Sequence, residues 1–324
     1  MTSSRRSSST SSAIVLDGSG DPSVSGAPLS ADAASPADGV RDMVLSALFF
    51  SAMSLLVKLA GERIPALQIV LVRALLSLGL SWWFIQRAGL SWQGNRPRLL
   101  LLRGVFGLAG LVCFFWAITL LDLADVTVLH YTNPLWTALL AALFLKERWT
   151  GRQTISLFFA VGGIILVAQP TALFGGVSRM PIEGVLLALG GAFFAGLAYV
   201  TVRKLGASEA PLVVVLYFPL VAVPLVTPFA IPVWVWPTAL EWLILIGVGV
   251  ATQVAQIFMT RGLAKLPAGR ATTIGTLQVV FAGAWGWLVF GAFPNAWGIG
   301  GAILVVTAVI AGRPRRRDRA PAAS

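Results

Sequence analysis

Beyond about residue 40 the chain is a succession of apolar runs separated by short polar or proline-containing breaks. Each run approaches the ~20 residues a helix needs to cross a ~30 Å hydrocarbon core at ~1.5 Å per residue. The pattern predicts helices at residues 43–62, 66–86, 99–120, 125–145, 152–169, 182–202, 210–230, 239–260, 270–291 and 295–312. Residues 271–312 carry no charge and as one helix would overshoot any bilayer, so Pro294-Asn295 is taken as a turn between two passes. Pro228, Pro232 and Pro237 are expected to break the apolar stretch between Pro211 and Leu240. The fourth run opens on Asp125, is apolar from Val126 to Leu145 and closes on Lys146-Glu147-Arg148. Within it His130, Asn133, Pro134 and Thr137 recur at i, i+3, i+4 and i+7, which puts them on one helical face. A spanning helix turns such a stripe towards a cavity or a partner helix. Interhelical hydrogen bonding alone is the plainer alternative.

Composition agrees with this pattern. The chain is 57% hydrophobic and 11% charged, against about 25% charged residues in soluble domains, and is read as an all-α polytopic membrane protein. The net charge of +11 would suggest a nucleic-acid partner in a soluble protein. Here the basic residues sit between apolar runs, so nucleic acid is not an expected partner and the lipid bilayer is. One set of loops holds Arg87, Arg96, Arg98, Lys146, Arg148, Arg152, Arg203, Lys204, Arg261 and Lys265, with Arg313 to Arg319 in a basic tail over residues 313–324. The positive-inside rule makes that set cytoplasmic. Both termini are then inside, which calls for an even number of passes, and about ten fits. Residues 1–40, rich in Ser, Ala, Gly and Pro, read as a disordered tail. Ala13 to Leu16 is too short for the apolar core of a signal peptide. With a single cysteine, Cys113, and a single histidine, His130, no disulfide and no metal site is expected, nor any cofactor. A homodimer is left open.

The chain also repeats. A slide of about 145 positions lays residues 264–270 on 119–125, Asn133 on Gln278, Trp136 on Phe281 and Thr137 on Ala282. Residues 41–170 and 181–312 then form two five-helix copies of opposite orientation, an arrangement that places a transport site near the midplane between them.

The residues that carry a family likeness are Val72-Arg73-Ala74-Leu75-Leu76, Leu102-Arg103-Gly104, Leu123-Ala124-Asp125, Asn133-Pro134-Leu135-Trp136 and the ending Phe144-Leu145-Lys146-Glu147-Arg148-Trp149. With these motifs the chain resembles the ten-helix EamA-type members of the drug/metabolite transporter superfamily. The second copy ends in Phe290-Gly291-Ala292 and lacks the glutamate of that ending. The resemblance implies two inverted five-helix bundles around a central cavity, moving small organic solutes by alternating access in a bacterial inner membrane.

Ten residues are candidates for contact with such a solute. Arg73 lies about seven residues into its helix, at a depth where a charge costs about 2.5–3.5 kcal/mol on insertion scales and faces an aqueous cavity unless it snorkels. His130, Tyr131, Asn133 and Thr137 come from the fourth helix. Gln253, Gln256 and Gln278 are neutral donors and acceptors, and Trp116 and Trp285 can wall a cavity. Arg103 and Arg270 are read as interfacial, and Lys58 as snorkelling. Glycines at 162–163, 190–191 and 298–301 are read as close-packing positions. No Asp or Glu falls in the middle of a predicted span. That absence favours a facilitator or exchanger, or at most coupling through His130, and the cationic or neutral polar set favours a carboxylate-bearing, amino-acid-like metabolite, exported or exchanged, over a permanently cationic drug. A larger solute such as a vitamin or nucleoside derivative is the alternative. A membrane enzyme lacks paired acids or a Ser–His–acid set here, a channel lacks rings of charge, and no phosphate-cradling loop for ATP is present.

Overall fold

The computed structural model describes residues 36–148, 150–174 and 181–312; the tails read from the sequence lie outside them, except that the first helix already starts at Pro36. The helices are α1 (Pro36–Ala60), α2 (Ala66–Arg87), α3 (Pro97–Leu120), α4 (Leu123–His130), α5 (Asn133–Leu145), α6 (Gly151–Ala168), α7 (Thr171–Phe174), α8 (Ile182–Leu205), α9 (Pro211–Ala230), α10 (Ala239–Lys265), α11 (Ala268–Gly275), α12 (Leu277–Phe290) and α13 (Ala296–Ala311). Among the described residues 9 spans are long and apolar enough to cross a bilayer, counting α4–α5 and α11–α12 as one span each, and α13 is a shorter apolar tenth. All-helical structure follows from the solvent: lipid offers no partner for a backbone N–H or C=O, so each span must satisfy its own.

The two halves pack as an exchanged pair. The first helix of one half lies on the third of the other: α1 on α10, and α3 on α8. The second helices meet each other (α2 on α9), as do the fifth (α6 on α13). Five passes precede α8, so the second half enters the bilayer from the opposite end. The α6–α13 contact shows the relation in single residues. Ser156 Oγ donates to the Ala308 carbonyl at 2.6 Å, while Gly163 and Gly301 meet backbone to backbone. A Cβ added to Gly301 would stand 2.5 Å from the Gly163 carbonyl oxygen, and one on Gly163 2.7 Å from that of Gly301. Shifted by 145, Ser156 becomes 301 and Gly163 becomes 308, so one contact is the image of the other. Gly110 and Gly191 bring α3 and α8 together in the same way, each added Cβ 3.2 Å from the other's carbonyl oxygen. Gly190 and Gly300 face open space, and an added Cβ at Gly162 would only touch Leu304 at 4.0 Å. The close-packing reading therefore holds for Gly163, Gly191 and Gly301 and fails for their neighbours.

Three expectations change. Pro228 does not break the seventh pass: α9 runs through Pro219, Pro224 and Pro228 and ends at Ala230, followed by a 3₁₀ turn at Ile231–Val233. Packing on α2, α3 and α10 holds the helix where isolated propensity would not, with Val213, Val214, Val215, Leu216, Ala222 and Val226 all buried. The predicted turn at Pro294-Asn295 is present, with Asn295 accepting from the Gly298 N–H at 2.9 Å. The fourth and ninth passes, by contrast, are each broken in the middle. The break falls at Tyr131-Thr132 between α4 and α5 and at Thr276 between α11 and α12, positions 145 apart. Pro134 has no N–H to give the His130 carbonyl. The Asn133 side chain donates to that carbonyl instead, at 3.0 Å. In the second half Thr276 Oγ1 donates to the Thr273 carbonyl at 2.7 Å, back-bonding of the kind that bends helices. The stripe from His130 to Thr137 thus spans two helices rather than one face of a single helix.

Candidate functional site

The two breaks meet at one place. Tyr131 and Asn133 from the first, and Gly275, Thr276 and Gln278 from the second, line a cavity completed by Met43, Ser46, Ala47 and Phe50 of α1, Tyr199 of α8, Met259 and Leu263 of α10, and Thr272. Each break lies eight residues, about 12 Å, inside its pass, so the cavity sits at mid-depth. Its volume is about 50 Å³. That admits a few waters and is far below the 300–1,000 Å³ of a metabolite pocket. Every polar group in the lining is neutral, and among the described residues no Asp or Glu reaches it.

The ten candidates divide. Tyr131, Asn133 and Gln278 share the cavity. Thr137 is fully buried beneath Asn133, its hydroxyl donating to the Asn133 carbonyl at 2.7 Å. Gln278, Trp285 and Arg73 form a second group along one turn of α1. Gln278 Nε2 reaches Ser54 Oγ at 3.4 Å, Trp285 Nε1 donates to Ser51 Oγ at 3.1 Å, and Arg73 Nη1 approaches Met53 Sδ at 3.5 Å. The Arg73 Nε is buried without a hydrogen-bond partner. Gln253 donates to Ser81 Oγ at 2.8 Å and ties α10 to α2. Gln256 accepts from Arg103 Nη2 at 2.9 Å. His130 is not in the cavity; its ring lies 4.7 Å from that of Phe114 on α3, and Nδ1 is buried without a partner. Trp116 is 61% exposed and stands apart from the cavity. Lys58 sits over the Phe290 ring at 4.2 Å.

Two ends close the bundle. At the basic end Glu147 accepts from Arg203 Nε and from the Ala268 N–H, both at 2.9 Å, joining α5, α8 and the start of α11. Lys265 Nζ reaches Asp42 at 2.8 Å, joining α10 to α1. At the opposite end Arg63 donates to Glu241 through Nε at 2.7 Å and through Nη2. That hydrogen-bonded carboxylate raises the Arg63 guanidinium above its ordinary pKa. Gln68 meanwhile pairs with both backbone groups of Val235 at 2.7 and 2.9 Å. Both clasps join one half of the chain to the other.

The sequence reading placed Arg103 at the interface, and the structure corrects this. Arg103 is 3% exposed, about 9 Å inside α3, with its guanidinium 5.5 Å from the Phe218 ring. The α3–α9–α10 contact encloses it before it can snorkel. Tyr199, Ser46 and Thr276 were also missed. Thr276 carried a signal, being the 145-shifted image of Tyr131; the other two stand among ordinary helix residues and carried none.

Comparison with known proteins settles the class. The description "EamA-like transporter family" matches residues 40–169 and again 182–311. The chain belongs to the EamA-like transporter family. Among individual relatives, it is similar to the pseudopaline exporter CntI of Pseudomonas aeruginosa, at 34% identity over 278 residues, covering 84% of this chain and 95% of that protein. It is 30% identical over 293 residues to mouse solute carrier family 35 member G1, covering 87% of this chain and 79% of the relative. A solved crystal structure superposes with a TM-score of 0.76 at 19% identity, covering 86% of this chain and 96% of that one, which is a likeness of fold. EamA membership makes the chain a membrane transporter, and the helix-break cavity is where its two repeats meet.

Proposed function

We propose that this transporter carries a small carboxylate-bearing, amino-acid-like metabolite outward, as an exporter or exchanger working by alternating access. It does so in a bacterial inner membrane with both termini cytoplasmic. The observation that carries the reading is the cavity at the paired helix breaks. Its lining offers hydroxyl and amide groups with no carboxylate, and the buried charge on α3, Arg103, is a cation. A permanently cationic solute would find no counter-charge there, whereas an anion or zwitterion would. Clasps at both ends of the bundle supply the two gates an alternating cycle needs. Similarity to a protein named an exporter supports the outward direction, and the run of basic residues at one end supports the orientation.

Counterflow in proteoliposomes tests this. Vesicles preloaded with unlabelled L-amino acids or hydroxy acids are expected to accumulate the matching labelled carboxylate transiently, several-fold above empty vesicles. Choline and other organic cations are expected to stay at the leak rate. Cation uptake that exceeds every anion would overturn the substrate class, and flux without trans-stimulation would replace the carrier by a channel.

A further inference from the structure

Arg103 is the one buried Lys or Arg among the described residues, and no carboxylate pairs with it there. Nη2 donates to Gln256, and Nε is buried with nothing to bond. A guanidinium presents its donors as a planar fork that fits a carboxylate two-pronged, so an unpartnered edge on a buried arginine is an incomplete interaction. The chain also leaves room for this group. A Cβ added to Gly107, one turn along α3, would stand 2.8 Å from Nη1 and 2.9 Å from the Phe218 ring. Tyr199 links the helix of the fork to the cavity: it lines the cavity wall and belongs to α8, which packs along α3. Arg103 and Tyr199 each lie six residues, about 9 Å, from the basic ends of their helices, and Gln256 about 13 Å from the end of α10. The three occupy the basic half of the bundle, with Tyr199 in the cavity wall and Gln256 one turn before the cavity-lining Met259 on α10. From these observations we infer that Arg103, Gln256 and Tyr199 form an anion subsite that receives the carboxylate of the transported solute; this rests on the carboxylate reading above.

The test needs no knowledge of the solute. In a Cys113→Ala background, Gln256→Cys is treated with 2-sulfonatoethyl methanethiosulfonate, an anion, and with its trimethylammonium counterpart, a cation. Each rate is normalised to that with a free thiol. The buried cation is expected to favour the anionic reagent about tenfold. Adding Arg103→Gln removes that preference, and adding Arg103→Lys keeps it. Should Arg103→Gln fail to fold, Tyr199→Cys with Arg103 intact gives a second reading, again with the anion favoured. Equal rates for the two reagents, or no reaction at either position, overturn the subsite. The outcomes separate from those of counterflow. Anion preference without carboxylate exchange removes the transport reading and leaves the subsite, whereas carboxylate exchange without anion preference removes the subsite alone.

Discussion

Gly301→Val leaves little folded protein. Its side chain would have to occupy the space of the Gly163 carbonyl oxygen, 2.5 Å from the new Cβ, with Val167 and Leu166 at 2.8 and 2.9 Å. A backbone obstacle cannot rotate away, so α6 and α13 must separate. Overpacking against movable side chains costs about 1–3 kcal/mol, and a backbone clash is expected at or beyond the top of that range. Gly300→Val, one residue away with nothing within 4 Å, is the control. Detergent-solubilised Gly301→Val should show a collapsed monodisperse peak, or a melting temperature lower by 10 °C or more, while Gly300→Val matches the parent protein. Equal stability of the two would mean that α6 and α13 do not meet through Gly301.

Asn133→Leu separates the structural from the transport role of the broken fourth pass. It strips the His130 carbonyl of the donor that replaces the missing N–H of Pro134, and an unsatisfied buried carbonyl costs about 1–3 kcal/mol. It also removes an amide from the cavity wall. Exchange activity is expected to fall at least tenfold and the melting temperature by several degrees. In the double variant Asn133→Leu/Pro134→Ala, the alanine N–H can close the helix onto His130. Stability then recovers while exchange stays low, because the amide and the break are both gone. Recovery of exchange along with stability would show Asn133 to be only a backbone cap.

The architecture could be read from the sequence because lipid allows few solutions. Twenty-residue apolar runs, basic loops on alternate sides and a 145-residue shift are long-range signals, and each survives the loss of detail. The mid-membrane cavity was partly legible for the same reason: Asn133 and Gln278 coincide under the shift, and both line it. Local geometry was not. Helical periodicity assumes an unbroken helix, and at Pro134 a side-chain amide takes over from the backbone, so His130 parts from Asn133 and turns to Phe114. Arg103 looked interfacial because depth along one helix says nothing of what packs beside it; Phe218 and Gln256 come from helices more than 100 positions away. Pro228 marks the converse failure, a strong local breaker overruled by the packing of α9.

The most direct test follows Thr276→Cys, a cavity residue only 2% exposed, in a Cys113→Ala background. Its reaction with a membrane-impermeant thiol reagent is measured from each face of oriented vesicles. One end is held shut by a zinc-bridged histidine pair, either Glu147→His with Arg203→His or Arg63→His with Glu241→His. If two inverted halves open the cavity in turn, bridging one end leaves Thr276→Cys reactive from the other face alone, and a chelator restores reaction from both. Reaction from both faces with either end bridged, or from neither face in any state, would contradict it.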